Sequence, residues 1–113
     1  MTLGGGGLYN PKITQLTHID AQGFAVPLGV AGWIDSDVSA ITGTDINKVW
    51  IVVCRNTGAS SAAGCRRHGD TKSPQTLAWV TTTFLSCVDS SGHMDLYRDA
   101  SVNNTYDFLG YLL

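Results

Sequence analysis

The chain has 113 residues, a formal net charge of −2 and only 14% charged residues, so its length fits one domain and leaves too little chain for a second core. Its seven Lys and Arg residues form no basic stripe, which argues against nucleic acid as a partner. No apolar run reaches the roughly 18 residues of a membrane span, and the N-terminal residues lack the pattern of a secretion signal, so we expect a cytoplasmic product without a membrane partner.

The composition favours β-structure and free thiols. All nine acidic residues are aspartate, which prefers turns to helices, and the 13 glycines are accompanied by many Thr, Val and Ser residues. The three cysteines are an odd number in a chain without a secretion signal. We therefore expect buried free thiols in place of a disulfide framework.

The sequence divides into a flexible N-terminal arm at 1–12 and a single domain at 13–113. Four consecutive glycines are costly to hold in one conformation, and the segment LYNP follows them. Two interpretations remain open for the arm. It is either a frayed terminus or a segment that docks onto a neighbouring subunit through Leu8, Tyr9 and Pro11.

Three segments in the first half of the domain have β-strand patterns. KITQLTHID at 12–20 alternates imperfectly, whereas GWIDSDVSAI at 32–41 sorts its residues into an apolar and a polar face. NKVWIVVCRN at 47–56 contains an unbroken apolar run, which predicts a strand in mid-core that is covered on both faces. We expect all three tryptophans to lie in the core and not in a sugar-binding surface: Trp33, Trp50 and Trp79.

The second half predicts further strands and one distinctive turn. CRRHGD at 65–70 indicates a short edge segment, and TLAWVTTTFLSCVD at 76–89 one long strand. DSSG is typical of a turn in which the Asp89 carboxylate caps the backbone and Gly92 adopts a positive φ, so FLSCV and HMDLY are expected to pair as a β-hairpin. The apolar final segment TYDFLGYLL is expected to be central or covered by another subunit.

About eight strands separated by turns, without a helical period, predict an all-β fold. The commonest solution for this number of strands is a jelly roll. We therefore predict a jelly-roll-like antiparallel β-sandwich that carries the flexible N-terminal arm.

Two metal sites are conceivable, and neither is favoured. Cys65 with His68, and Cys87 with His93, have spacings that resemble two zinc-ligand pairs, but the tight knuckles of a structural zinc site are missing. The two aspartates of GWIDSD share a strand face and would hold calcium only with a third oxygen ligand; a solvated face is the more common outcome. We expect no metal and no other cofactor.

A Cys87, His93 and Asp95 constellation is the strongest candidate for nucleophilic catalysis. In the expected hairpin, however, His93 and Asp95 point to solvent with Tyr97, while Cys87 packs into the core, so nucleophile and base are separated. The chain also lacks G-x-S-x-G, H-E-x-x-H and phosphate-binding motifs. We expect no enzyme activity.

The segments VWIVVCRNTG, GCRRHGD, TTFLSCVDSSGHMDLYRD and YDFLGYLL resemble the pattern of jelly-roll capsid decoration (cement) proteins of tailed bacteriophages. The resemblance covers roughly residues 45–113, and it departs where HGD replaces the more typical G-S ending of the edge motif. It implies a homotrimer on the outer capsid surface of the virion, synthesised in the host cytoplasm, that bridges neighbouring major capsid protein subunits. The alternative is a receptor- or glycan-binding jelly-roll domain of a phage fibre or tail tip, which would recognise its ligand through the loops TGASSAAG and SVNNT.

For contact with the capsid, the arm and the one pair of adjacent cations are the candidate residues. Disorder and solvated charge are the competing interpretations of these two features. The candidates are Leu8, Tyr9, Asn10 and Pro11 in the arm, and Arg66 and Arg67 facing acidic loops of the capsid.

Overall fold

The computed structural model describes residues 16–56, 62–71, 76–78 and 83–113. The arm predicted at 1–12 and the start of the predicted domain lie outside these residues. In chain order the described elements are β1 (Leu16–Val26), β2 (Gly32–Asp37), α1 (Ser39–Thr42), β3 (Val49–Arg55), β4 (Ala63–Arg67), β5 (Thr76–Ala78), β6 (Thr83–Ser86), β7 (His93–Arg98) and β8 (Asn104–Leu112). Among them there is no helix with the length and apolarity that crossing a membrane requires.

The strands form two four-stranded antiparallel sheets. The first sheet has the order β1-β8-β3-β6 and the second sheet the order β2-β7-β4-β5. Successive strands pass from one sheet to the other, except that β4 and β5 are neighbours in the second sheet. The last strand, β8, lies between β1 and β3, and β7 lies between β2 and β4. This is the strand order of a jelly roll, so the predicted fold class is confirmed.

The core lies between the sheets and is built by strand alternation. Trp50, Val52 and Cys54 of β3 point inward, and Phe84, Tyr106 and Phe108 come from the flanking strands of the first sheet; the second sheet contributes Met94 and Leu96, both fully buried. The neighbours of Trp50 in β3 are only half-buried. β3 is therefore an interior strand, as predicted, but it is not covered on both faces.

Buried polar groups link the two sheets at one end of the sandwich. The Tyr106 hydroxyl on β8 donates to the Tyr97 carbonyl at 2.7 Å and accepts from the Gly64 amide at 3.2 Å. The Asn104 side-chain amide donates to the carbonyls of Ala62 and Tyr97 at 3.0 and 3.1 Å. A buried polar group costs free energy unless it is paired, so these bonds fix the position of β8 relative to β4 and β7.

The DSSG turn has the predicted local chemistry but joins different strands from those expected. The Asp89 carboxylate accepts from the backbone amides of Ser91 and His93, each at 2.9 Å, and Gly92 has φ +79°. The expected hairpin is nevertheless wrong. β6 pairs with β3 in the first sheet, while β7 pairs with β2 and β4 in the second, so the turn connects the two sheets.

Two other strand predictions are corrected by the sheet order. The long strand predicted at 76–89 is two strands, because β5 belongs to the second sheet and β6 to the first. The edge segment predicted at 65–70 overlaps β4, which is an interior strand paired on both sides, with β5 and with β7. Nearest-neighbour patterns cannot show on which sheet a strand lies.

The prediction that Cys87 packs into the core is also wrong. Phe84, Ser86 and Val88 are the buried residues of this stretch, whereas Leu85 is 64% exposed and Cys87 is half-buried. The alternation therefore has the opposite phase from the one expected. Cys54 and Cys65 are buried and all three thiols are free, as predicted.

Candidate binding surfaces

The outer face of the second sheet carries a group of ionisable side chains that we call the histidine–aspartate cluster. Its members are Asp35 on β2, His93 and Asp95 on β7, and His68, which follows β4. Strand register assembles them: Asp35 lies opposite Asp95, and Asp37 lies opposite His93. Side chains two residues apart share a face of a strand, so β2 and β7 present these groups together.

Two imidazoles link the carboxylates of the cluster. His68 Nδ1 lies 2.7 Å from Asp95 Oδ1 and 3.4 Å from Asp35 Oδ1, and His93 Nδ1 lies 2.7 Å from Asp35 Oδ1. The pKa of His68 is raised chiefly by its hydrogen bond to Asp95, and the pKa of His93 chiefly by its hydrogen bond to Asp35. Both rings therefore hold a proton to a higher pH than an isolated histidine.

Asp95 is the buried centre of the cluster. Its Oδ2 accepts from Arg66 Nε at 2.8 Å and from the Gly69 amide at 3.3 Å, and its side chain is only 6% exposed. Burial acts to raise its pKa, but the hydrogen bonds from His68 and Arg66 outweigh burial, so the pKa is lowered. The sequence correctly places Asp95 and His93 on one face with Tyr97, but Asp95 is covered by its partners and not exposed to solvent.

An aromatic pair lies beside this cluster. The rings of Trp33 and Tyr97 meet edge to face with centroids 5.4 Å apart, and the Arg66 guanidinium carbon is 4.4 Å from the Trp33 ring centroid. Both aromatic side chains are half-buried on the outer face. The expectation that Trp33 lies in the core is therefore wrong, whereas Trp50 is buried as expected and Trp79 lies outside the described residues.

One end of the outer face of the first sheet is apolar, whereas at the other end Arg55 of β3 pairs with Asp107 of β8. Leu16, Leu112 and Val49 lie side by side on β1, β8 and β3, and Ile51 lies next to Leu85 on β6. Leu16 is 51% and Leu85 64% exposed, while the other three are half-buried. We call these five residues the apolar patch. An exposed group of this kind is typical of an interaction surface.

The structure assigns different environments to the two predicted arginines. Arg66 forms an ion pair with Asp95 and stacks on Trp33, so its charge is compensated within the subunit. Arg67 is exposed and lines a shallow cleft of about 240 Å³ with His68, Gly69, Asp70 and Thr71. The candidates Leu8, Tyr9, Asn10 and Pro11 lie outside the described residues.

The cysteine-based candidate sites are not assembled as their spacing suggested. Cys65 points into the core, where its sulfur lies 3.5 Å from that of Met94, whereas His68 contacts Asp95 on the outer face. Burial raises the pKa of Cys54 to about 11 and that of Cys65 to about 12, so both remain protonated thiols at neutral pH. In the second cysteine–histidine pair, Cys87 is half-buried and the His93 ring hydrogen-bonds Asp35.

Sequence reasoning missed both the histidine–aspartate cluster and the apolar patch. The two-residue spacing of Asp35 with Asp37, and of His93 with Asp95, was the available signal for the cluster. It was insufficient because the pairing of β2 with β7 joins residues about sixty positions apart in the chain.

No protein-family model, no curated protein and no solved structure matches this chain.

Proposed function

We propose that the protein is a structural subunit of a phage virion, a decoration protein that associates with itself as a homotrimer and binds the major capsid protein on the outer surface of the head. The observation that carries this proposal is the apolar patch on the outer face of the first sheet. In an isolated subunit Leu16 and Leu85 are left in water. Contact with a second copy would bury them together with their half-buried neighbours.

The difference between the two outer faces also supports this function. The outer face of the first sheet carries the apolar patch, while that of the second sheet carries the histidine–aspartate cluster and the aromatic pair. Three copies joined by head-to-tail contacts close a ring around a threefold axis. Such a trimer stabilises a capsid by mass action when it binds only the assembled lattice, and three attachment points add avidity. The phage setting itself comes from the resemblance of the sequence segments.

The first test is the oligomeric state in solution. Light scattering coupled to size-exclusion chromatography should give a trimer for the wild-type chain. Leu85→Asp places a charge in the apolar patch and should yield monomers. Val30→Asp is the matched control, because Val30 is 80% exposed in the connection between β1 and β2 and outside the patch. A wild-type monomer, or a Leu85→Asp trimer, would remove the basis of the proposal.

The second test is capsid attachment. Purified trimer should co-sediment with empty heads of the phage that encodes it, and deletion of residues 1–12 should abolish pelleting if the arm makes the attachment. Arg67→Glu should weaken pelleting if this exposed cation faces an acidic capsid loop. A trimer that never pellets with heads would restrict the proposal to self-association.

The aromatic pair on the second sheet supports a second candidate function, the binding of a receptor glycan at a fibre or tail tip. Trp33 and Tyr97 lie side by side and partly exposed on the outer face, and aromatic rings of this kind suit the apolar face of a sugar ring. Retention on an immobilised host polysaccharide that is lost in Trp33→Ala but kept in Val30→Ala would favour this function over capsid decoration.

A further inference from the structure

Asp35 and Asp95 stand directly opposite each other on β2 and β7. Like charges at such a cross-strand position repel, and the arrangement is destabilising unless a positive group lies between them. The His68 ring occupies this place, and one ligand-type atom from each of the three residues lies within 4.8 Å of the others. Three convergent atoms of this kind are a candidate donor set for a metal ion.

We propose that Asp35, His68 and Asp95 bind a divalent first-row transition metal, with Zn²⁺ as the best-fitting ion. One imidazole nitrogen and two carboxylate oxygens are a borderline donor set that suits Zn²⁺, whereas Ca²⁺ requires six or more oxygen ligands. Donor atoms around tetrahedral Zn²⁺ are about 3.3 Å apart, given metal–ligand bonds of about 2 Å. The contacts of His68 Nδ1, 2.7 and 3.4 Å, need only a small expansion to reach that spacing.

Neighbouring groups already orient the donor atoms. Arg66 and the Gly69 amide hold Oδ2 of Asp95, which leaves Oδ1 directed at His68. On Asp35 the arrangement differs, because His93 Nδ1 contacts the same oxygen, Oδ1, that faces His68, at 2.7 Å. Outer partners such as those of Asp95 raise metal affinity because the ligands need little rearrangement on binding.

The site is open to solvent and separate from the apolar patch. The side chains of Asp35 and His68 are 51% and 39% exposed, so an ion can enter without opening the fold. Three protein donors leave at least one coordination position for water or for a group from a partner. The test of metal binding and the test of self-association therefore have independent outcomes.

The test is titration of the full-length protein with Zn²⁺ by calorimetry, with the stoichiometry checked by elemental analysis after dialysis. A Cys87→Ser background removes the half-buried thiol as a competing ligand. One ion per chain is expected. His68→Ala and Asp35→Asn should each lower affinity at least tenfold, whereas His18→Ala, which removes an exposed imidazole from β1 of the other sheet, should leave it unchanged. His93→Ala should have an intermediate effect.

Co²⁺ substitution gives a readout of coordination itself. The bound ion should show the visible absorption of a four- or five-coordinate centre, and this absorption should be lost in His68→Ala. The proposal is overturned if millimolar Zn²⁺ does not bind, if His18→Ala weakens binding as much as His68→Ala, or if Ca²⁺ binds as tightly as Zn²⁺.

Discussion

The Asp99 carboxylate shows how a single side chain can hold two distant segments. It accepts hydrogen bonds from the Ala62 amide at 2.7 Å, just before β4, and from the Ser101 and Val102 amides at 2.6 and 3.2 Å. The hydrogen bonds from these amides lower the pKa of the Asp99 carboxylate, and the bond from Ala62 has the largest effect. The carboxylate therefore accepts hydrogen bonds both from the turn before β8 and from the residue that precedes β4.

We expect Asp99→Asn to lower the free energy of unfolding by about 2 kcal/mol at pH 7, because an amide replaces a charged acceptor and turns an NH₂ group toward N–H donors. A group whose pKa is depressed on folding stabilises the protein above its unfolded pKa of about 4, and this stabilisation is lost as the pH falls through the folded value. The difference in the free energy of unfolding between wild type and Asp99→Asn should therefore become smaller below about pH 4.

Urea unfolding at pH 7 and at pH 3 measures this difference. Asp45→Asn is the matched control, since the exposed Asp45 carboxylate caps a turn by accepting from the Asn47 amide at 2.9 Å, and it should change stability by less than about 0.5 kcal/mol. A loss in Asp99→Asn that stays constant with pH would contradict the proposed role of the charge.

Gly92 is required by both conformation and space. Its φ is +79°, and an added Cβ would lie 2.5 Å from Ser39 Cβ and 2.7 Å from the Gly43 carbonyl oxygen. Gly92→Ala should destabilise the fold by about 3 kcal/mol, from a left-handed backbone penalty plus overpacking. Gly69→Ala separates the two effects, because Gly69 has the same φ with nothing within 4 Å, and it should cost about 1 kcal/mol. Thermal unfolding of both variants checks this prediction; equal losses would contradict the steric part.

Residue-scale features were predictable where their causes are local. Asp89 and Gly92 lie in one four-residue turn, so residue preferences alone identified their roles. The bond between Asp99 and Ala62 spans 37 positions and depends on the arrangement of the sheets. No local pattern in the chain contains that information.

At the scale of strands, the Tyr106 hydroxyl is the contact that most clearly links the two sheets. Tyr106→Phe would leave the Gly64 amide and the Tyr97 carbonyl without this partner in a buried position. We expect a loss of about 2 kcal/mol in the free energy of unfolding. Hydrogen exchange should show faster exchange of the Gly64 amide while the rest of β8 stays protected.

Tyr97→Phe is the matched control for this substitution. It removes the same hydroxyl from a half-exposed ring on the outer face of β7, where water can replace a lost partner, and it should change stability by less than about 0.5 kcal/mol. If both variants lose the same amount of stability, the buried bonds between the sheets do not carry the effect.

Strand existence was predicted better than strand pairing. The apolar run of β3 and the apolar C-terminal segment mark interior strands, because such sequences are stable only when neighbours cover them. The predicted hairpin is wrong for a specific reason. DSSG has the chemistry of a tight turn, but such a turn can also connect two strands that lie in different sheets. Register and sheet membership depend on contacts far apart in the chain, and these also decide which charges meet in the histidine–aspartate cluster.

At the scale of the whole molecule, the fold produces two outer faces that differ in character. Strand alternation sends one set of β3 side chains into the core and the other outward; the outward set begins with the apolar Val49 and Ile51 and ends with Arg55, which pairs with Asp107. The unbroken apolar run of β3 predicts a strand that is covered on both faces. Among the described residues only the inner face of β3 is packed into the core, and our proposal assigns the cover of its outer face to self-association.

Self-association of this kind makes stability depend on protein concentration. If folded chains are trimeric and unfolded chains are not, each tenfold rise in concentration stabilises the folded chain by about 1 kcal/mol, which corresponds to an increase in melting temperature of about 3–5 °C for a domain of this size. Differential scanning calorimetry from micromolar to millimolar protein should show this increase for the wild type and for Val30→Asp. Leu85→Asp should melt at a temperature independent of concentration, because the charge on the apolar patch is compatible with a hydrated monomer but not with a desolvated interface. A wild-type melting temperature that does not change over this range would mean that the apolar patch stays exposed to water in solution.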